Sequence, residues 1–262
     1  MDLASWRMLA RTMKNADVVV EVVDIRDPIT TRSKRAESMA TALEKKLIIV
    51  LNKSDLVPLS VAEKWRRILQ GLGYNAIYVS ARYRLSTRRL RGWIKSMAYI
   101  KPFSAAVIGY PKTGKSSIIN TLRGRKGAST SPIPGSPGYT KSIQLLKIEP
   151  GFYMIDTPGV IPAEGGWPDS VIRGRSPEEL SDPVPPAAAL IEKILKYNRR
   201  AFQQAYGISS TDPYEILEDL AVKRGWYYKK TKEPLIEEAA RTVIRDYHKA
   251  KIPFFVPPEE FV

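Results

Sequence analysis

Over the first 160 or so residues, short apolar runs alternate with stretches whose apolar positions recur at helical spacing. The runs Val18–Asp24, Leu47–Leu51, Ala76–Val79, Phe103–Ile108, Ser142–Ile148 and Phe152–Ile155 are dense in β-branched and aliphatic residues and read as buried strands. Leu3–Asn15, Ser33–Lys46, Ser60–Leu72 and Thr87–Tyr99 read as helices, and Ser116–Leu122 opens another. Ser60, with Glu63 three residues on, predicts a capping box. Alternating strands and helices predict an α/β fold: a doubly wound, mostly parallel sheet with the Ser142–Ile155 hairpin at one side and ligands bound along its carboxyl edge. Pro162–Pro186 is rich in Pro, Gly and polar residues and reads as a linker or mobile loop. Beyond Ala187 the strand signal disappears. Ala187–Tyr206, Pro213–Arg224 and Pro234–Ala250 predict a small helical domain, and the tail from Ile252 to Pro258 is expected to pack back as an extended strip. The expected division is residues 1–175 for the sheet domain and 176–262 for the helical one.

One strand–helix junction carries chemistry. Gly109-Tyr110-Pro111-Lys112-Thr113-Gly114-Lys115-Ser116 fits the phosphate-loop pattern at every fixed position, between a strand and a helix as that pattern needs. Glycines let successive N–H groups face an anion, the helix N-terminus adds its dipole, and Lys115 brings a full charge to β- and γ-phosphates. Ser116 is placed to put its hydroxyl on Mg²⁺, and Ser117 continues the N–H cradle.

Charge narrows the partners. The net charge is +15, and the 85 residues from Lys64 to Ile148 contain 17 Lys and Arg and no Asp or Glu. From Ala187 onward the balance is 13 basic to 11 acidic. A one-sign field that a bound nucleotide does not account for favours a polyanion, RNA first. The lack of cysteine excludes disulfides and thiolate metal sites, and a single histidine, His248, expected on a helix surface, argues against His-based metal sites and triads. No apolar run approaches the roughly 20 residues of a membrane span, and the N-terminus lacks a signal-peptide layout. A cytoplasmic, non-membrane, monomeric protein is the expectation.

Four further segments, each at a strand end or in a loop, narrow the nucleotide. Asp156-Thr157-Pro158-Gly159 offers a carboxylate for Mg²⁺ and a backbone N–H for the γ-phosphate. Thr140, between Pro-rich and Gly-rich turns, can complete the Mg²⁺ shell. Asn52-Lys53-Ser54-Asp55 reads the base: the Asp55 carboxylate can accept from the ring N–H and exocyclic amine of guanine, a donor pair that adenine lacks. Ser80-Ala81-Arg82 can give a backbone N–H to the guanine carbonyl. An ATP-using kinase is disfavoured by Asn52–Asp55.

These residues resemble the P-loop GTPase superfamily, in which the phosphate loop usually comes first. Here base recognition precedes the loop, while Thr140 and Asp156–Gly159 follow it, a circular permutation. With Asp24-Ile-Arg-Asp-Pro, Thr31-Arg32-Ser33 and Asp156-Thr-Pro-Gly-Val-Ile-Pro, the order resembles the YlqF/YawG group of circularly permuted GTPases over roughly Ala16–Pro162, and less specifically in Ala239-Ala240-Arg241 and Asp246–Lys251. The resemblance implies GTP/GDP and Mg²⁺ as ligands, hydrolysis to GDP and phosphate with Lys115, Thr140 and Gly159 in catalytic roles, and binding to rRNA or a pre-ribosomal subunit, with the helical domain taking part. Where Ras-like enzymes place a glutamine after D-x-x-G, this chain has Val160 and Ile161, so a slow intrinsic rate is expected. A GTP-gated RNA-binding switch with negligible hydrolysis is the alternative. The group usually has Asn, linked to K⁺-assisted hydrolysis, where this chain has Lys112; a fixed ammonium replacing the cation and a side chain facing RNA or solvent both stay open.

Overall fold

The structure, a computed structural model, describes residues 3–98, 100–124, 144–156, 161 and 167–261. They form two compact units, Met1–Glu164 and Gly165–Val262.

The first unit is built on a sheet of six strands among the described residues, β1 (Val18–Asp24), β2 (Lys46–Asn52), β3 (Asn75–Tyr78), β4 (Phe103–Ile108), β5 (Gln144–Glu149) and β6 (Phe152–Asp156), in the order β3-β2-β1-β4-β6-β5. All neighbours are parallel except the β5–β6 hairpin, as the alternating pattern predicts. Side chains alternate across a strand, so Val18, Val20 and Val22 enter one core while Val19 enters another. Helices α1 (Leu3–Lys14), α2 (Pro28–Thr31), α3 (Lys34–Ala42), α4 (Leu59–Gly71), α5 (Arg84–Met97) and α6 (Lys115–Arg123) complete the unit. Leu90, Ile94, Ile118 and Leu122 of α5 and α6 join the first core; Trp6, Leu9 and Met13 of α1 and Ala36 and Ala40 of α3 join the second. The chain builds from β1 outward to β3 and then returns to β1's other side with β4. That reversal is where an open α/β sheet leaves a crevice at its strand C-termini.

One local expectation is corrected, and one buried carboxyl stands out. Helix α4 begins at Leu59 behind Pro58, whose carbonyl accepts from Val61 and Ala62; Ser60 is therefore inside the helix, and Glu63 pairs with Arg66 and Arg67 instead of closing a capping box. Glu21 sits fully buried in mid-β1, with Oε1 accepting from the Ser33 N–H at 2.7 Å and Oε2 without a hydrogen-bond partner. Burial first, and the nearby Glu37 carboxylate second, raise its pKa well above the usual value. A carboxyl whose folded pKa is raised costs stability as pH climbs past its unfolded value of 4.5, because folding then requires proton uptake. Glu21→Gln keeps the acceptor for Ser33 and removes that requirement. It is expected to raise the melting temperature at pH 7 by a few degrees (~1 kcal/mol) and to flatten the decline above pH 5 in thermal scans; a lower melting temperature would refute the assignment.

The second unit holds α7 (Asp169–Gly174), α8 (Val184–Tyr197), α9 (Ala201–Tyr206), α10 (Pro213–Arg224) and α11 (Ile236–His248). The expected single helix over 187–206 breaks at Asn198, whose amide donates to the Pro253 carbonyl and whose Oδ1 accepts from the Arg200 N–H. Part of the expected linker is ordered: Ile172 and Arg173 of α7 are buried, and Arg173 Nη2 donates to Tyr247 Oη at 2.9 Å. His248 is half-buried, its Nε2 lying 2.9 Å from the Ile172 carbonyl oxygen, so it ties α11 to α7 rather than lying on the surface. The tail packs as expected, with Ile252, Phe254 and Val256 buried and Phe254 against the rings of Tyr197 and Tyr247. No helix among the described residues is long and apolar enough to cross a membrane.

Candidate functional site

The site lies at the carboxyl ends of β1, β2, β4 and β6. The loop from β4 into α6 passes directly beside β1. A Cβ on Gly109, at φ +135°, would sit 2.4 Å from the Val22 carbonyl oxygen, so no larger residue fits. Gly114, at φ +101°, is the other enforced glycine: its Cβ would lie 2.2 Å from Asn52 Nδ2. Between them Tyr110 is buried, Thr113 Oγ1 donates to the Tyr110 carbonyl at 3.0 Å, and Lys112 is exposed in a left-handed conformation, φ +68°. Pro111 is half-buried, and Ser116 and Ser117 are exposed in the first turn of α6.

Lys115 is the charged centre of the loop. Its ammonium is buried and donates to the carbonyls of Gly109 and Tyr110, each at 2.8 Å. Burial pushes its pKa down to about 8, against the opposing pull of Asp156. Asp156, buried at the end of β6, has its pKa raised by the same desolvation and lowered by the Lys115 charge. Each charge opposes the other's desolvation, but burial is the larger effect on both groups.

The loops after β2 and β3 are joined to the phosphate loop through one side chain. Asn52 donates from Nδ2 to the Thr113 carbonyl at 2.9 Å, while its Oδ1 accepts from the Ala81 N–H at 3.2 Å. Asp55 is oriented by Ser80, which donates to Oδ1 at 2.6 Å, and by exposed Arg82, whose Nη1 lies 3.3 Å from Oδ2. Lys53, left-handed at φ +66°, reaches back with Nζ 2.7 Å from Asp24 Oδ2. The structure therefore brings together Asn52, Lys53, Asp55, Ser80, Ala81 and Arg82 on one side and Gly109–Ser117 with Asp156 on the other. Thr140 and Gly159 lie outside the described residues.

Sequence reasoning gave no role to Asp24 and Arg26. Both are buried at the β1 terminus, where Arg26 grips Asp24 bidentately through Nε at 3.1 Å and Nη2 at 2.8 Å and also donates its backbone N–H to Oδ1 at 3.1 Å. The available signal was two opposite charges one residue apart at a strand end, without any hint of Lys53.

For Mg²⁺, the oxygen donors suit a hard cation: the exposed Ser116 hydroxyl next to the Lys115 charge and the buried Asp156 carboxylate at a neighbouring strand end. A mostly parallel sheet with a phosphate loop in its middle, and base-reading loops contributed by strands that precede that loop, defines a circularly permuted P-loop GTPase fold. A family profile described as RsgA GTPase matches residues 6–164, more than half of the chain, and the chain belongs to that family. It is 34% identical over 254 residues to an uncharacterized GTP-binding protein of Methanocaldococcus jannaschii, an alignment covering 95% of this chain and 66% of that protein. It is 35% identical over 266 residues to nucleolar GTP-binding protein 2 of Yarrowia lipolytica, covering 97% of this chain and 51% of that protein. The chain thus spans between half and two thirds of the length of these relatives. Among solved structures, GNP-bound YlqF from T. maritima matches with a TM-score of 0.64 at 25% identity, covering 98% of this chain and 99% of that one; its GDP-bound form gives 0.62.

Proposed function

We propose that this chain binds GTP, hydrolyses it to GDP and phosphate, and uses that cycle to gate its docking on rRNA in a pre-ribosomal subunit. The observation that carries the nucleotide half is Asn52, which ties the phosphate loop to the Ser80–Ala81 loop beside an Asp55 carboxylate already oriented by Ser80. That geometry suits a purine whose edge offers two donors to Asp55 and whose carbonyl meets the Ala81 region, with Gly109–Ser117 around the phosphates, Lys115 on their charge, and Ser116 and Asp156 holding Mg²⁺. The metal would neutralise charge developing on the phosphate oxygens. We assign Thr140 and Gly159 to γ-phosphate sensing by their positions in the chain. Relatives named as GTP-binding proteins, and GNP- and GDP-bound neighbours, support the nucleotide assignment.

The RNA half is supported by α5. Arg84, Arg88 and Arg89 are exposed there with no ion-pair partner among the described residues, whereas Arg91 and Lys95 on the same helix are engaged by Glu149. Three unpaired guanidiniums beside the base-reading loop suit phosphate contacts.

One observation favours the second reading, a switch with negligible intrinsic hydrolysis. The place directly after the D-x-x-G glycine, where a water-orienting glutamine would stand, is taken by Val160, and the next residue, Ile161, is buried with Trp6, Leu9 and Tyr110. Single-turnover GTP hydrolysis separates the two readings, and running it in K⁺ against Na⁺ tests the cation at the Lys112 position.

Asp55→Asn replaces one acceptor by a donor facing the exocyclic amine of guanine. GTP affinity is expected to fall by roughly 100-fold while xanthosine triphosphate, with a carbonyl there, gains, because a recognition site rejects a mismatched hydrogen-bond partner strongly. Competition binding of GTP, ATP and xanthosine triphosphate reads this out; unchanged GTP preference in the variant would overturn the base-recognition assignment.

A further inference from the structure

The second unit carries a feature that the nucleotide site does not use. Helix α10 ends at Arg224 and α11 begins at Ile236, and the segment between them folds into a short hairpin. Tyr227 and Pro234 form an antiparallel bridge; the Leu235 N–H donates to the Trp226 carbonyl at 2.9 Å, Tyr228 to Glu233 at 2.9 Å, and Lys232 to Tyr228 at 3.0 Å. Lys232 takes a left-handed conformation, φ +62°, at the turn. These bonds fix the backbone, so whatever the hairpin presents is held in place.

What it presents is unusual. Tyr227 is 40% exposed and Tyr228 43% exposed, and neither makes a ring contact or hydroxyl hydrogen bond among the described residues. Adjacent residues on an extended arm face opposite ways, so each face of the arm offers one ring. At the tip, Lys229, Lys230 and Lys232 are exposed and free of ion pairs among the described residues. From Val222 to Lys232 there are five basic residues and no acidic one, in a region whose overall balance from Ala187 is close to neutral. Five of the 13 basic residues from Ala187 onward therefore fall in this one stretch, which also exposes Tyr227 and Tyr228.

Aromatic faces beside unpaired cations are the chemistry of single-stranded nucleic acid binding: unstacked bases lie on the rings and flanking phosphates meet the ammonium groups. An anionic membrane is the less suitable partner. The arm from Tyr227 to Glu233 contains no aliphatic side chain that could enter hydrocarbon, and two rings supply little apolar area. We propose that the Trp226–Leu235 hairpin is a single-stranded RNA contact, with unpaired bases stacking on Tyr227 and Tyr228 and phosphates held by Lys229, Lys230 and Lys232. This inference rests on the proposed RNA-docking function and adds where and how an unpaired RNA segment is read.

The test uses the full chain and fluorescence anisotropy with a single-stranded RNA oligonucleotide and a duplex RNA of equal length. Tyr227→Ala/Tyr228→Ala is expected to weaken single-stranded RNA binding about tenfold or more at fixed salt, with the duplex changed less than twofold, while Tyr227→Phe/Tyr228→Phe retains wild-type affinity because the ring does the stacking. Lys229→Gln/Lys230→Gln is expected to lower the salt slope for single-stranded RNA by about 1.4, two phosphate contacts at roughly 0.7 each. GTP affinity and melting temperature confirm that each variant is folded. Wild-type RNA affinity in the double alanine variant overturns this inference alone, as does equal loss in the phenylalanine variant. Failure of the wild-type chain to bind either RNA overturns the docking function as well. Tyrosine-dependent flotation with vesicles of equal phosphatidylcholine and phosphatidylglycerol, with RNA binding unaffected, replaces it with a membrane contact.

Discussion

Asp24→Ala is expected to destabilise the first unit by about 3 kcal/mol, a large share of the roughly 5–15 kcal/mol that holds a domain together. The carboxylate is 1% exposed and accepts from three N–H groups of Arg26 and from the Lys53 ammonium. Arg26 is 2% exposed, so alanine would leave its guanidinium desolvated without the anion that orients it. Breaking a buried pair from one side costs more than the pair itself contributes, because the surviving charge stays in low dielectric. Asp24→Asn should cost less, since one acceptor survives. Lys53 adds a second effect: it is flanked by Asn52 and Asp55, and freeing its ammonium from Asp24 should also weaken GTP binding in whatever fraction remains folded. Urea unfolding of the alanine and asparagine variants, followed by GTP titration of each, measures both. A loss below about 1 kcal/mol in the alanine variant would show that the network is dispensable to the fold.

The contrast between what could and could not be read from the chain follows from sequence distance. Val18–Asp24 and Phe103–Ile108 announce buried parallel strands because both faces must be apolar, and the phosphate loop announces itself because two glycines, a lysine and a serine are constrained within eight residues. The structure shows the constraint directly in the contacts a Cβ would make at Gly109 and Gly114. Asp24 and Lys53, by contrast, meet only because β1 and β2 lie side by side in a register that pairs Asp24 with Asn52. Nothing local in either segment encodes that meeting. Glu21 is similar: the strand pattern places it in a buried strand, but only the closure of α3 over β1 supplies its neighbours Ser33 and Glu37. Helix ends were the other weak point. Asn198 looks like an acceptable helical residue until the tail supplies the Pro253 carbonyl for its amide, and α7 forms within a stretch rich in Gly and Pro because Ile172 and Arg173 find partners on α11. Tertiary partners decided these features, and propensity alone does not carry them.

Lys115→Met is expected to weaken ligand binding and to change how the stability of the nucleotide-free fold depends on pH. The ammonium's pKa of about 8 means that burial disfavours its charged form. The sign follows from linkage. Below pH 8 the lysine is protonated in both folded and unfolded chains, and the full burial penalty applies. Between about 8 and the ordinary value of 10.5 the unfolded chain holds more protons, so stability rises with pH. A methionine has similar length and no charge to desolvate. The variant should therefore lack that rise, and at pH 7 the relief of the burial penalty is opposed by the lost hydrogen bonds to Gly109 and Tyr110 and by a buried Asp156 carboxylate left without its facing cation. GTP binding should fall. In the proposed role the β- and γ-phosphates supply the anions that the loop carbonyls and Asp156 replace only partly. GTP should then raise the lysine's pKa again, and binding near pH 8.5 should take up protons. Loss of this charge-assisted contact in a dry crevice is expected to weaken GTP by about 100-fold or more. Calorimetric titration at pH 8.5 in two buffers of different ionisation enthalpy measures the proton uptake, and thermal scans from pH 7 to 9.5 measure the stability difference. Buffer-independent binding enthalpy in the wild type, or a stability slope shared by wild type and variant, would place the charge that answers the phosphates somewhere other than Lys115.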